Sequence, residues 1–368
     1  MKLLTLLLTL YLSISALNAD EVKISEDELK KKIGRMLLVG FPNEKIDKHS
    51  KIVKLTQKYE LGGVILFDRF YEDRSKTKNI SSPEQVQELT KKLKSYSSKP
   101  ILISVDQEGG KVARLKPKYG FKKIPSAKEV SKLSLQEAVK IYNSQALMLH
   151  KNGFNCDFAP VVDLAIESKN KVIFGLERSY GADAKEVSKY AKVFIDSLKA
   201  AKITSVLKHF PGHGSSLADS HKGFVDITNT WSEKELEPYQ ILIDSKNVNM
   251  IMTAHVFNKN LDDKYPATLS HNVNTKLLRE KMHYDGVVIS DDLQMKAISK
   301  HFSLKETVTL AINSGVDMLL FGNQLANQDI DELVELVYEQ VKSGAIKYER
   351  IVESNKRLEE LHKKRESI

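Results

Sequence analysis

The chain has 368 residues, 41% of them hydrophobic and 29% charged, with a formal net charge of +9 and a single cysteine. That length allows either two domains or one large α/β barrel. One cysteine excludes an intrachain disulfide, and a positive charge spread along the chain, in no arm or stripe, argues against nucleic acid as the partner.

At the N-terminus, MKLLTLLLTLYLSISALNA reads as a secretory signal peptide over residues 1–19. Lys2 is a short basic start, Leu3–Leu12 is mostly apolar, and small residues follow up to Ala16 and Ala19, where cleavage is expected. An uncleaved anchor is the alternative, and the shortness of the apolar run speaks against it. The remaining residues, 20–368, would then be a periplasmic or secreted protein with no stable membrane anchor after cleavage.

Beyond the leader, eight short apolar runs alternate with amphipathic segments: MLLVGF from Met36, GVILF from Gly63, ILISVD from Ile101, NCDFAP from Asn155, TSVLKHF from Thr204, MIMTAHV from Met250, GVVIS from Gly286 and DMLLFG from Asp317. Nearly continuous apolar runs are what parallel strands covered on both faces require. Helix starts are marked by Ser25 with Glu28, Ser82 with Pro83, Ser232 with Glu235, and Ser303 with Glu306. Gly153 and Gly315 follow periodic stretches, as helix-ending glycines do. The eightfold strand–helix alternation predicts an α/β fold, a single (β/α)8 TIM barrel. Cys156, in the apolar GFNCDFAP, is expected to be a small buried side chain.

In such a barrel, chemistry belongs at the C-terminal ends of the strands. Ionisable residues fall there repeatedly: Asp106, Glu108 and Arg114 after the third run, Asp163 after the fourth, Lys208 and His209 at the end of the fifth, His255 in the sixth, and Asp291 with Asp292 after the seventh. The segment KHFPGHGSSLADSHKGF, from Lys208, adds His213, Asp219 and His221. A metal site built on His209, His213 and His221 would need these side chains to converge, and Pro211-Gly212 argues against a helix that would align the first two. GHGSSL completes no phosphate-binding loop, and no nucleophile elbow is present. Asp219-Ser220-His221 instead suggests a carboxylate that sets the tautomer of an imidazole and raises its proton affinity. Such a proton shuttle needs a nucleophile, for which Asp291 is the best placed residue.

DQEGGKVARL, KHFPGHGSSLADSH, PATLS and DGVVISDDLQM together resemble glycoside hydrolase family 3, specifically its β-N-acetylhexosaminidase branch. The resemblance runs from about residue 30 to the C-terminus and implies the barrel alone, without the second domain of larger members. It implies Asp291 as nucleophile, forming a covalent glycosyl-enzyme, His221 as general acid/base and Asp219 as its orienting partner. Asp106, Arg114, Arg178, Lys208 and His209 would hold the terminal sugar, whereas Glu108 and Asp292 are expected only to support loops. Phe70 stands where this branch more often has Asn, so contacts near that loop are expected to differ.

The implied activity is that of a retaining exo-β-N-acetylglucosaminidase acting on peptidoglycan fragments, the muropeptides, as a monomer without cofactor or metal. The usual pair of carboxylates becomes one carboxylate and one imidazole. Two other readings stay open: a metal-dependent hydrolase using the His209/His213/His221 cluster with Asp219, which a chelator would silence, and a catalytically silent sugar-binding barrel.

Overall fold

The structure, a computed structural model, describes residues 24–367. The expected signal peptide lies outside the described residues. Among the described residues, no helix is long and apolar enough to cross a membrane.

Eight parallel strands make the barrel: β1 (Leu37–Gly40), β2 (Gly63–Ile65), β3 (Leu102–Val105), β4 (Cys156–Asp157), β5 (Thr204–Phe210), β6 (Met250–Thr253), β7 (Val287–Ile289) and β8 (Leu319–Phe321). From β1 to β7 each pairs in parallel with the next, and β8 pairs with β1, with Leu37 opposite Leu319. Between β7 and β8 the ring closes through a parallel bridge of Ile289 with Met318, and the Ser290 amide donates to the Met318 carbonyl at 3.0 Å. The eight strands fall inside the eight apolar runs, and the expected (β/α)8 barrel is the observed fold. The fourth run is the shortest as a strand: only Cys156 and Asp157 are regular, and Val161 bridges to Lys208 beyond them.

The outer layer contains α1 (Glu26–Arg35), α2 (Lys51–Tyr59), α3 (Pro83–Tyr96), α4 (Leu135–Lys151), α5 (Ala184–Ala200), α6 (Glu237–Asp244), α7 (Leu304–Ser314), α8 (Ile330–Lys342) and α9 (Tyr348–Glu366), with a π-helix, Asn272–Lys281, between β6 and β7. The opening helix α1 packs outside, against α8 and α9. Apolar side chains at helical spacing, such as Val86, Leu89 and Leu93 of α3, are buried against the strands.

The start signals behave unevenly. Ser303 and Glu306 form the reciprocal capping box, and Ser82 caps α3 with Pro83 in its first turn. Ser25 accepts the Glu28 amide, but the Glu28 carboxylate faces Lys32 and Arg35 instead of returning to the cap. At Ser232 the expected cap is absent: Glu233–Leu236 is a 3-10 turn, and Glu235 reaches away to the Gly214 amide at 2.8 Å. A buried backbone N–H needing an acceptor outweighs a cap that water can replace. Cys156 is fully buried, and burial raises its thiol pKa.

At the lower edge of β8, Asp317 accepts from the Val288 amide at 2.9 Å, from Arg279 at 2.6 Å and from Arg350 at 2.7 Å. One buried carboxylate thus ties the π-helix and α9 to β7 and β8, and it survives burial because three charge-assisted donors satisfy it.

Candidate active site

The C-terminal ends of the strands surround a cleft of about 610 Å³, and Asp106, Arg114, Arg178, Lys208, His209, Asp219, His221 and Asp291 all line it. They come from β3, the loop after β4, β5 and its loop, and the end of β7. Sequence positions as far apart as 106 and 291 converge because every strand of the barrel ends at the same rim.

One wall is an ion network. The chain after β3 folds into a short antiparallel hairpin, Gln107–Gly109 with Val112–Ala113, which the sequence did not announce. Its position sets Asp106, Glu108 and Arg114 side by side. Lys208 Nζ lies 2.9 Å from Asp106 and 2.7 Å from Glu108, and Arg114 donates to Asp106 at 2.9 Å. Arg178 grips Glu108 with two bonds of 2.7 Å. Burial by itself would raise the pKa of both carboxyls, but the facing Lys208 with Arg114, and Arg178 with Lys208, outweigh it and hold each below its usual range. Glu108, expected to be a loop support, is the shared anchor of two site cations.

His209 is fixed from both sides. Its Nδ1 lies 2.7 Å from Asp163 Oδ2, and Arg178 Nη2 lies 3.2 Å from its Nε2. A guanidinium only donates, so Nε2 accepts and the proton sits on Nδ1. The other Asp163 oxygen accepts the His213 amide at 2.8 Å. His213 itself turns to Ser216 at 2.6 Å, and burial lowers its pKa to about 4. The two rings meet edge to face with centroids 5.9 Å apart, but each is committed to its own partners, His209 to Asp163 and Arg178 and His213 to Ser216. Among the described residues, no group of three or more His, Cys, Asp or Glu is arranged to hold a metal ion.

The loop after β5 has a pinned stem and an exposed crown. Asn170 donates to the His213 and Gly214 carbonyls at 2.8 and 3.0 Å, Glu235 accepts from the Gly214 amide, and Trp231 donates to the Pro211 carbonyl at 3.0 Å. A side chain at Gly214 would meet the Leu164 carbonyl oxygen, so only glycine fits there. Sequence patterning gave no signal for Asn170, whose role depends on a contact 43 residues away. Past the stem, His221 is 48% exposed, with Nδ1 2.9 Å from Asp219 Oδ1. That hydrogen bond brings the Asp219 pKa down to about 2. Desolvation alone would lower the His221 pKa, but the Asp219 hydrogen bond and the Asp291 charge outweigh it and raise the value.

Asp291 leaves the end of β7 as a half-buried carboxylate, and one of its oxygens accepts the Asp292 amide at 2.8 Å. Desolvation would raise its pKa, but the imidazoles of His255, His209 and His221 hold it down. Its neighbour Asp292 goes the other way: burial raises its pKa to about 6, and it accepts amides from Gln294 and Gly322. Two adjacent carboxyls are thus separated into an ionised one facing the cleft and a more readily protonated one that ties β7 to β8. His255, buried, fixes this corner through its Nε2, 2.9 Å from the Asp292 carbonyl. Phe70 lines the same cleft, and its ring lies 5.6 Å from the Lys78 ammonium.

Comparison with known proteins gives this geometry its context. The profile of the Glycosyl hydrolase family 3 N terminal domain matches residues 28–361. The chain belongs to glycoside hydrolase family 3. A relative named Beta-hexosaminidase from Tolumonas auensis is 36% identical over 272 residues, covering 72% of this chain and 77% of the relative. Another of the same name, from Haemophilus influenzae, is 34% identical over 296 residues, covering 78% and 79%. A solved family 3 β-N-acetylglucosaminidase from Paenibacillus sp. str. FPU-7 superposes with a TM-score of 0.82 at 32% identity, over 92% of this chain and 62% of that one. The chain is a glycoside hydrolase on the β-N-acetylhexosaminidase branch of the family, and the expected resemblance is met.

Proposed function

We propose that the protein is a retaining exo-β-N-acetylglucosaminidase that acts on peptidoglycan fragments through a covalent glycosyl-aspartate. The observation that carries this reading is the division of labour in one cleft. An ionised Asp291 sits on barrel scaffolding, and a His221–Asp219 pair with raised imidazole proton affinity sits on the neighbouring loop.

In the first step an Asp291 oxygen bonds to the anomeric carbon as the glycosidic C–O bond breaks. The His221 imidazolium gives its proton to the departing oxygen, with Asp219 stabilising the charged ring. In the second step water attacks the same carbon, His221 takes the water's proton, and the Asp291 carboxylate leaves. The ion network is suited to hydroxyl and acetamido recognition: Asp106 accepts, Arg114, Arg178 and Lys208 donate, and their mutual pairing fixes each donor before sugar arrives. The names of the relatives support an N-acetylhexosamine as the terminal sugar.

Charge at the mouth supports a muropeptide. Arg69, Arg74, Lys111, Lys171 and Lys222 line the outer cleft, and none of them makes an ion pair with a described carboxylate. An aglycone bearing carboxylates, as peptide-linked wall fragments do, complements that rim. The signal peptide expected over residues 1–19 would direct action to the periplasm or outside the cell, and a monomer suffices because one barrel supplies every group named.

The test is to incubate the pure protein with a chromogenic β-N-acetylglucosaminide, trap the intermediate with a fluorinated sugar, and locate the label by peptide mass spectrometry. Label on Asp291 is expected; label on another residue, or steady turnover with no trapping, removes the mechanism.

A further inference from the structure

The end of the barrel opposite the active site holds a second cleft, of about 430 Å³, under the beginnings of β3 and β4. Lys94 from the last turn of α3, Lys99 just beyond it, His150 from the last turn of α4, Lys202 after α5 and Arg365 from the last turn of α9 all line it, over an apolar floor that includes Ile101 and Phe154. Among the described residues, none of the three lysines nor Arg365 has a carboxylate partner, and Glu366 is the only acid in the wall.

Helix C-termini favour cations, by about 0.3–1 kcal/mol each, which accounts for a basic residue at the end of each helix. It does not account for Arg365. Its Nη1 is shielded from solvent and has no hydrogen-bond acceptor among the described residues. That one nitrogen has lost water without gaining an acceptor, in a residue that is otherwise only partly buried in the cleft wall, where an anion would answer its charge. Lys94 carries the same sign of strain. Burial, then the nearby Arg365 charge, lowers the pKa of Lys94, and burial lowers that of Arg365. Lys94 is an exposed residue at the wall of the cleft.

We propose that this lower cleft is a binding site for a phosphate ion or small phosphomonoester, with Arg365 and Lys94 as its principal ligands and Lys202 and Lys99 at its entrance. A planar guanidinium takes two oxygens of a tetrahedral oxyanion, lysines supply point charges around the rest, and the apolar floor strengthens both by excluding water. The site is independent of the glycosidase reading, since it shares no residue with the catalytic cleft. It would make the stability of the barrel responsive to phosphate level.

The experiment is calorimetric titration of the purified full chain at low ionic strength with inorganic phosphate, and in a second arm with glycerol 3-phosphate. The wild type is expected to bind one equivalent, with a matching rise in Tm. Arg365→Gln and Lys94→Gln are each expected to weaken binding roughly tenfold or more, while leaving cleavage of a chromogenic glycoside unchanged. Tighter binding of the ester than of the ion would identify the ligand as a phosphomonoester. Should Arg365→Gln fail to fold, Lys94→Gln and Lys202→Gln, whose side chains reach the surface, carry the test. Absence of binding at millimolar phosphate, or equal affinity in wild type and the lysine variants, overturns the proposal.

Discussion

A single oxygen of Asp219 accepts twice from His221: from the backbone N–H at 3.0 Å and from ring Nδ1 at 2.9 Å. The carboxylate therefore fixes where the ring starts and how it is turned, leaving Nε2 as the nitrogen able to exchange a proton with substrate. A residue two positions away can do this only where the chain is non-helical, which a loop of Gly, Ser and Asp provides.

From that pairing follows a pH prediction. Glycosidic cleavage needs the imidazolium, so activity falls as pH rises through the His221 pKa, which Asp219 helps to raise. Asp219→Asn should move the basic limb of the kcat/KM profile to lower pH. His221→Ala should lower kcat by roughly 10²–10⁴-fold for a poor leaving group, and by much less for an activated aryl glycoside. An unmoved basic limb in Asp219→Asn would count against the pair.

Asp291→Asn removes the attacking oxyanion without changing shape. Turnover should fall on the order of 10³-fold or more, with calorimetric binding of N-acetylglucosamine retained. Wild-type turnover in a folded Asp291→Asn protein would refute the nucleophile assignment.

Glu108 anchors both Arg178 and Lys208, so Glu108→Ala leaves two buried cations short of a partner. Losing one member of a buried ion pair typically costs about 3–5 kcal/mol. The variant should show a lower denaturation midpoint and a raised KM, because the two donors lose their fixed positions. Should KM stay at the wild-type value while stability falls, Glu108 is only a structural support, as the sequence first suggested.

Glu235 predicts a pH dependence of stability. Desolvation raises its pKa to about 7 from 4.5, against the pull of the Gly214 amide that it accepts. A raised folded pKa means that the group's contribution is fully present below the unfolded value and is lost as pH rises through about 7. The shift corresponds to about 3 kcal/mol at 1.36 kcal/mol per unit. The wild type should therefore lose more stability between pH 5 and pH 8 than Glu235→Gln does, measured by denaturant unfolding. Parallel pH curves for the two proteins would contradict the assignment.

The barrel was legible because its evidence is local. Each strand carries its own apolar run, and each helix its own period, so burial on both faces shows in a few consecutive residues. The residues that line the cleft were legible for a related reason: polar groups at strand ends stand out where the pattern calls for apolar ones, and the KHFPGHG block marks its loop. The partners were not. Nothing near Ser232 says that Glu235 will leave its helix cap for Gly214, and nothing near Asp163 says that it will hold His209 and the His213 amide. The rigid stem of the loop after β5 likewise rests on Asn170 and Trp231, which no pattern flags.

The amino-acid sequence by itself determined the eightfold alternation, the strand that carries Asp291 and the Asp219-Ser220-His221 spacing, because short-range periodicity and chain geometry fix them. Only the tertiary structure decided which charge answers which. Ring closure between β7 and β8 brings distant carboxylates, guanidiniums and imidazoles together in a shared low-dielectric cleft, and there each group's proton affinity depends on neighbours that lie far away along the chain.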